Sequence, residues 1–198
     1  LDPASQFVLN MRGLFLASVG RMAEAVEVQR RAVEQDPLNA IHTANLANFL
    51  LNDGRYGEAL EWSRRVDALS PDGRSPLWVG AWAALAAGDS RNALAFFEKM
   101  RGSRSLMGRA VALRALGRDQ ESKEALDQLE QQFADEPTII AGARAGRGDL
   151  DGAFESLERA VRVRDSRLWT LWFQQQLHPL RSDPRFPAPM ERIGAKVE

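Results

Sequence analysis

Near its C-terminal end the chain reads LHPLRSDPRF (177–186), which sets His178, Arg181, Asp183 and Arg185 close together. An imidazole, a carboxylate and two guanidiniums are the groups of general acid–base chemistry and of anion binding. Two carboxylate pairs, Glu24/Glu27 and Glu155/Glu158, stand at i, i+3. The run AGARAGRGD (141–149) mixes small and basic residues in the manner of a phosphate loop. These are the stretches where reactive chemistry could sit, and each has a structural reading beside it. His178 precedes a proline and follows an apolar stretch, as the closing piece of a scaffold would. The carboxylate pairs fit solvated outer helix faces. The run 141–149 has no strand before it, which a nucleotide loop requires.

Composition narrows the chemistry further. The sequence has no cysteine, which removes disulfides, thiolate catalysis and cysteine-based metal sites. Its two histidines, His42 and His178, lie too far apart in sequence to suggest a histidine-rich metal site. There is no glycine-rich Walker loop, HExxH, GxSxG or kinase motif set. We therefore expect no catalytic residues, no cofactor and no enzyme activity.

Net charge is −1, so no overall field favours nucleic acid or an anionic membrane. Arg30, Arg31, Arg64 and Arg65 are offset by Glu27, Glu34, Glu61 and Asp67, and no nucleic-acid partner is expected. No apolar run approaches the ~20 residues of a membrane span, and no signal peptide is read. The sequence opens on Leu1-Asp2-Pro3 rather than Met and reads as a fragment of a longer protein. The expectation is no membrane contact by this fragment and a cytoplasmic location, or a periplasmic one if the longer protein is membrane-tethered. The skew of 26 basic residues toward Arg suggests a GC-rich bacterial genome.

The elements that must position these residues show a repeat. Glycines 20, 54, 88, 117 and 148 end helical stretches at spacings of 34, 34, 29 and 31. Seven residues before each lies a small residue: Gly13, Ala47, Ala81, Ala110 and Ala141. Five after lie Ala25, Ala59, Ala93, Ser122 and Ala153, and twelve after lie Ala32, Val66, Met100, Leu129 and Ala160. Pro37 and Pro71 come seventeen after the first two glycines. A tight turn between antiparallel helices needs a residue tolerant of positive φ, which Gly supplies. Small residues let the two axes approach, and proline stops the second helix. Helix pairs are expected at 4–19 with 21–35, 40–52 with 55–69, 75–87 with 89–101, 104–116 with 118–134 and 137–146 with 149–164. A further helix is expected over 167–176, and a bend near Met100–Ser105, where the period shortens.

GRMAEAVEVQRRAVEQDP (20–37), GRYGEALEWSRRVDALSP (54–71), GDSRNALAFFEKM (88–100) and GDLDGAFESLERAV (148–161) carry the pattern. GRDQESKEALDQL (117–129) departs from it, with Ser122 in place of Ala. The pattern resembles the tetratricopeptide repeat (TPR), a helix–turn–helix unit of ~34 residues. The large aromatic that the family places early in the first helix is missing from the first two repeats. The resemblance implies an all-α, right-handed superhelical array of about five repeats in a single domain. The repeats fall at about 6–39, 40–73, 74–102, 103–133 and 134–166, with a C-terminal cap over 167–198. It also implies a concave groove lined by first helices that binds a protein or peptide segment.

Read on that basis, Asn45, Asn48 and Asn52 make one polar stripe able to hydrogen-bond a peptide backbone. Trp78 and Trp82 stand at i, i+4 with Leu85 completing the stripe, as groove anchors or as helix packing. Asn10 and Leu14, with Phe7, take the matching face of the first helix. Met107 and Arg114, with Val111, take it in the fourth repeat. Some family members clamp the C-terminal carboxylate of chaperones with Lys and Asn. The matching places here hold Asn10, Leu14, Asn45, Ser75 and Val79, with no cationic pair, so that role is not expected.

LWTLWF (168–173) is too apolar for a free tail and should close the last repeat. Asp183 should cap a turn beginning at Pro184. WTLWFQQQLHPLRSDPRF, followed by MERIG, resembles the tail of C-terminal TPR regions in bacterial multidomain regulators with cyclase, winged-helix or kinase effectors. That resemblance implies a sensory or interaction region of a signalling or transcription regulator, with an effector domain of the same chain as one candidate partner. The alternative is a stand-alone scaffold or assembly factor, for example in envelope biogenesis.

Overall fold

The recurring glycines become helix ends. The computed structural model of the chain describes residues 5–70, 77–168, 175–192 and 194. Those residues form α-helices and no strand. In chain order the helices are α1 (Gln6–Ser18), α2 (Met22–Gln35), α3 (Ala40–Asn52), α4 (Tyr56–Leu69), α5 (Leu77–Ala86), α6 (Ser90–Lys99), α7 (Ser103–Ala115), α8 (Asp119–Gln132), α9 (Pro137–Gly146), α10 (Leu150–Val163), α11 (His178–Arg181) and α12 (Pro187–Arg192). This is the all-α class, with helices in the helix–turn–helix order that the spacing predicts. The helix expected over 167–176 falls largely on 169–174, outside the described residues. At its edges stand 3-10 turns, 166–168 and Gln175–Leu177.

Each turn glycine has positive φ, from 73° at Gly117 to 87° at Gly148. The residue after it then donates back across the helix end: Arg21 N–H to the Leu16 carbonyl at 2.9 Å and Arg55 N–H to Leu50 at 2.9 Å. That bond satisfies carbonyls the helix would otherwise leave bare. The small positions on both sides of the turn pack shut. Ala47, Ala81, Ala110, Ala141, Ala25, Ala59, Ala93, Ser122 and Ala153 are each 0% exposed.

The shortened period has a simple source. α6 has 10 residues where α2, α4, α8 and α10 have 14. The connection from α6 to α7 spans 100–102, one residue shorter than the 36–39 connection from α2 to α3. A missing helical turn and one connector residue account for the period at this point.

The chain packs as two compact units, Leu1–Asp89 and Ser90–Glu198. In the first, α1 packs on α2, α2 on α3, α3 on α4 and α4 on α5. Gly80 of α5 lies where an added Cβ would stand 2.7 Å from the Ser63 hydroxyl of α4. In the second, α6 packs on α7, α7 on α8 and α9, and α9 on α10. A Cβ on Gly108 of α7 would fall 2.1 Å from the Phe97 ring of α6. The second unit also holds a cluster that joins Ala141, Phe154, Leu157, Leu177, Leu180 and Phe186. The C-terminal residues thereby lie against α9 and α10.

Candidate functional site

In the first unit the first helices α1, α3 and α5 carry the expected groove residues. Asn10 is 6% exposed, and its Oδ1 accepts two bonds. Gln29 Nε2 of α2 donates to it at 3.0 Å and Asn45 Nδ2 of α3 at 2.9 Å. Gln29 Nε2 also reaches the His42 carbonyl at 3.0 Å. Gln29, 0% exposed, is thus a polar hub on which three helices meet. It was not anticipated. The available signal was a lone amide inside the apolar stripe Val26–Val33, which a buried polar group occupies only with partners.

The asparagine stripe of α3 divides. Asn45 is half-buried and tied to Asn10. Asn48 and Asn52 are buried, with Asn52 Nδ2 donating to the Asn48 carbonyl at 2.8 Å and to its Oδ1 at 3.0 Å. On α5, Trp82 is 3% exposed, whereas Trp78 and Leu85 are half-buried. Leu14 of α1 is half-buried as well. The structure therefore brings Leu14, Asn45, Trp78 and Leu85 toward solvent and turns Asn10, Asn48, Asn52 and Trp82 inward. In the second unit Met107 is buried, and Arg114 is exposed with Nη1 donating to Asp119 at 2.7 Å.

The other stretches with chemical potential resolve into structural contacts. Arg21 Nε holds Glu24 at 2.6 Å, which lowers the pKa of that carboxyl. Glu158 is paired with Arg192. In the run 141–149, Arg144 Nε donates to Glu130 at 2.8 Å and Gly148 makes the turn. Among the described residues no group of three or more His, Asp or Glu side chains converges as a metal would need. No helix among them is long and apolar enough to cross a membrane.

The tail is a set of interlocking contacts. Asp183 Oδ1 accepts the Arg185 backbone N–H at 2.9 Å, the turn expected at Pro184. The Arg185 guanidinium grips both Asp183 oxygens, at 2.9 and 2.8 Å, and reaches Asp151 of α10 at 2.7 Å. It also lies 4.2 Å over the Phe154 ring. The Arg185 guanidinium holds the Asp183 carboxyl down to about 2. Beneath them Leu177 and Leu180 are 0% exposed and Phe186 1%. Burial pushes the His178 imidazole down to about 4, aided by the charge of Arg181, whose own guanidinium burial lowers to about 10. His178 is thus neutral and packed.

Two features were not read from sequence. Trp62 and Arg65 of α4, with Val33 and Pro37, line two adjoining clefts of about 210 and 260 Å³. Arg65 stacks 4.5 Å from the Trp62 ring centre. On α1, Phe15 is 63% exposed and Met11 42%.

Comparison with known families matches residues 10–74 to the model described as tetratricopeptide repeat. That match begins in α1 and runs through α4, the two helix pairs with an unbroken 34-residue period. No curated protein matched the chain. TPR regions in general mediate protein–protein interaction.

Proposed function

We propose that the chain is a non-catalytic protein- or peptide-binding module whose first unit takes a segment of low charge across its first helices. The observation that carries this is the segregation of charge between helix types. Over α1, α3 and α5, of 13, 13 and 10 residues, Arg12 is the one charged side chain. α2 and α4, of 14 residues each, carry Glu24, Glu27, Arg30, Arg31 and Glu34, and Glu58, Glu61, Arg64, Arg65 and Asp67. A surface of amides, tryptophan and leucine suits an apolar or amide-rich segment, because a charged one would lose hydration there without gaining a counter-ion. Leu14, Asn45, Trp78 and Leu85 are the contact set, and the buried Asn10, Asn48, Asn52 and Trp82 fix its shape. Met107 and Arg114 are assigned the equivalent places in the second unit. We place the module in a larger bacterial signalling or transcription regulator, with support from the LRSDPRF tail.

Panning a displayed random-peptide library on the folded protein tests the reading. Enriched peptides should be poor in Asp, Glu, Lys and Arg. Their binding should fall at least tenfold in Leu14→Glu and Asn45→Lys variants that keep the parent's circular dichroism. Enrichment of strongly charged peptides, or binding that both variants retain, would overturn it.

A further inference from the structure

Repeat positions can be compared across first helices by their distance from the turn glycine. Five residues before it stand Phe15, Phe49, Ala83, Ala112 and Ala143. The last four are each 0% exposed, while Phe15 is 63% exposed. Nine before it stand Met11 at 42% exposure, half-buried Asn45, and the buried Val79, Gly108 and Ile139. The contacts identify what covers these positions. Gly108 abuts Phe97 of α6, and Gly80, one residue on in the repeat, abuts Ser63 of α4. At these two positions the cover is the second helix of the pair before, while the Phe49 ring also reaches Gly13 of α1. On α1 the same face, with Met11, Arg12 and Phe15, is open.

A second observation names the occupant. Asp2-Pro3 stands 34 residues before Asp36-Pro37, and Pro71 stands 34 after Pro37. Asp36 is the C-cap of α2, so this dipeptide marks where a second helix ends. Ser5 and Asn39, the N-caps of α1 and α3, keep the same 34-residue offset. We propose that the open face of α1 is the seat of an amphipathic helix of the α2 type that ends at Asp2-Pro3 in the same polypeptide. α2, α4, α6 and α8 each pack on the first helix that follows within their unit, and α10 packs on α12. Repeat arrays bury such faces by stacking, and an apolar outer face is what a terminal repeat avoids. Arg12, at the edge of the seat, favours a helix with an acidic residue opposite it.

The test joins a copy of residues 20–35 directly ahead of Asp2, so that the added helix meets Asp-Pro as α2 does. Amide exchange of α1 should slow at least tenfold relative to the 198-residue chain, and Phe15→Glu should abolish the gain. Unchanged exchange in α1, or a gain that Phe15→Glu leaves intact, overturns the proposal. So does a 198-residue chain that sediments as a dimer and becomes monomeric with Phe15→Glu, since the occupant would then be a second copy.

Discussion

Phe15 and Phe186 each lie near an end of the chain, at 63% and 1% exposure. The last helix pair is closed by its own chain. The segment 175–192 folds back through short, proline-limited helices and buries Leu177, Leu180 and Phe186 against α9 and α10. The first pair has nothing equivalent on α1 among the described residues. An apolar side chain is thus not by itself a core residue, since its worth depends on whether another element arrives to cover it. Closure at the back rests on aromatic burial, with the Arg185–Asp183–Asp151 contacts fixing the angle of approach.

Phe49 and Phe15 are the same residue type at the same repeat position, one covered and one bare. Phe49→Ala should lose about 3–5 kcal/mol in chemical denaturation, the range for emptying a buried aromatic site. Phe186→Ala should lose a similar amount, registered in the second unit. Phe15→Ala should stay within about 0.5 kcal/mol, as exposed substitutions do. A Phe15→Ala loss near that of Phe49→Ala would break the contrast.

Helix starts sharpen the same comparison on a smaller scale. Asn39 Oδ1 accepts from the backbone N–H groups of Ile41 at 3.1 Å and His42 at 3.2 Å. Ser5, the N-cap of α1, makes no side-chain cap bond. Asn39→Ala should cost about 1 kcal/mol and Ser5→Ala only a few tenths, read from thermal midpoints.

The closed end also carries a pH signature. The folded His178 imidazole titrates at about 4, below its ordinary 6.5, because it is buried. Between those values the unfolded chain takes up a proton that the folded one refuses. Stability should therefore fall as pH drops from 6.5 toward 4. His178→Gln should flatten that decline, as calorimetry at pH 7 and pH 4.5 would record. The low pKa of Asp183 acts only below this window, where stability is lost as pH falls toward 2.

The helix pairs were legible because their determinants are local. A glycine at positive φ and a small residue on each side recur at fixed distances, and a proline follows the second helix in the first two pairs. The tail was legible for the same reason, since prolines and an Asp-capped turn act within a few residues. Exposure within the groove was not. A first helix inside a repeat array is covered by its own partner and by its neighbours, so little of its surface stays open. An i, i+3, i+7 stripe cannot tell Asn45 from Asn48 and Asn52, which bond to each other and sit buried. The hub at Gln29 joins Asn10 and His42, residues far apart in sequence, and no spacing reports it.

The bare backbone of Gly108 against the Phe97 ring has a consequence for descent. A methyl group at position 108 would meet three ring atoms within 2.4 Å. A larger residue at 108 needs a smaller one at 97 to have appeared first, and shrinking 97 alone leaves a void that costs stability. Related chains that carry a side chain at 108 should therefore carry a residue smaller than Phe at 97.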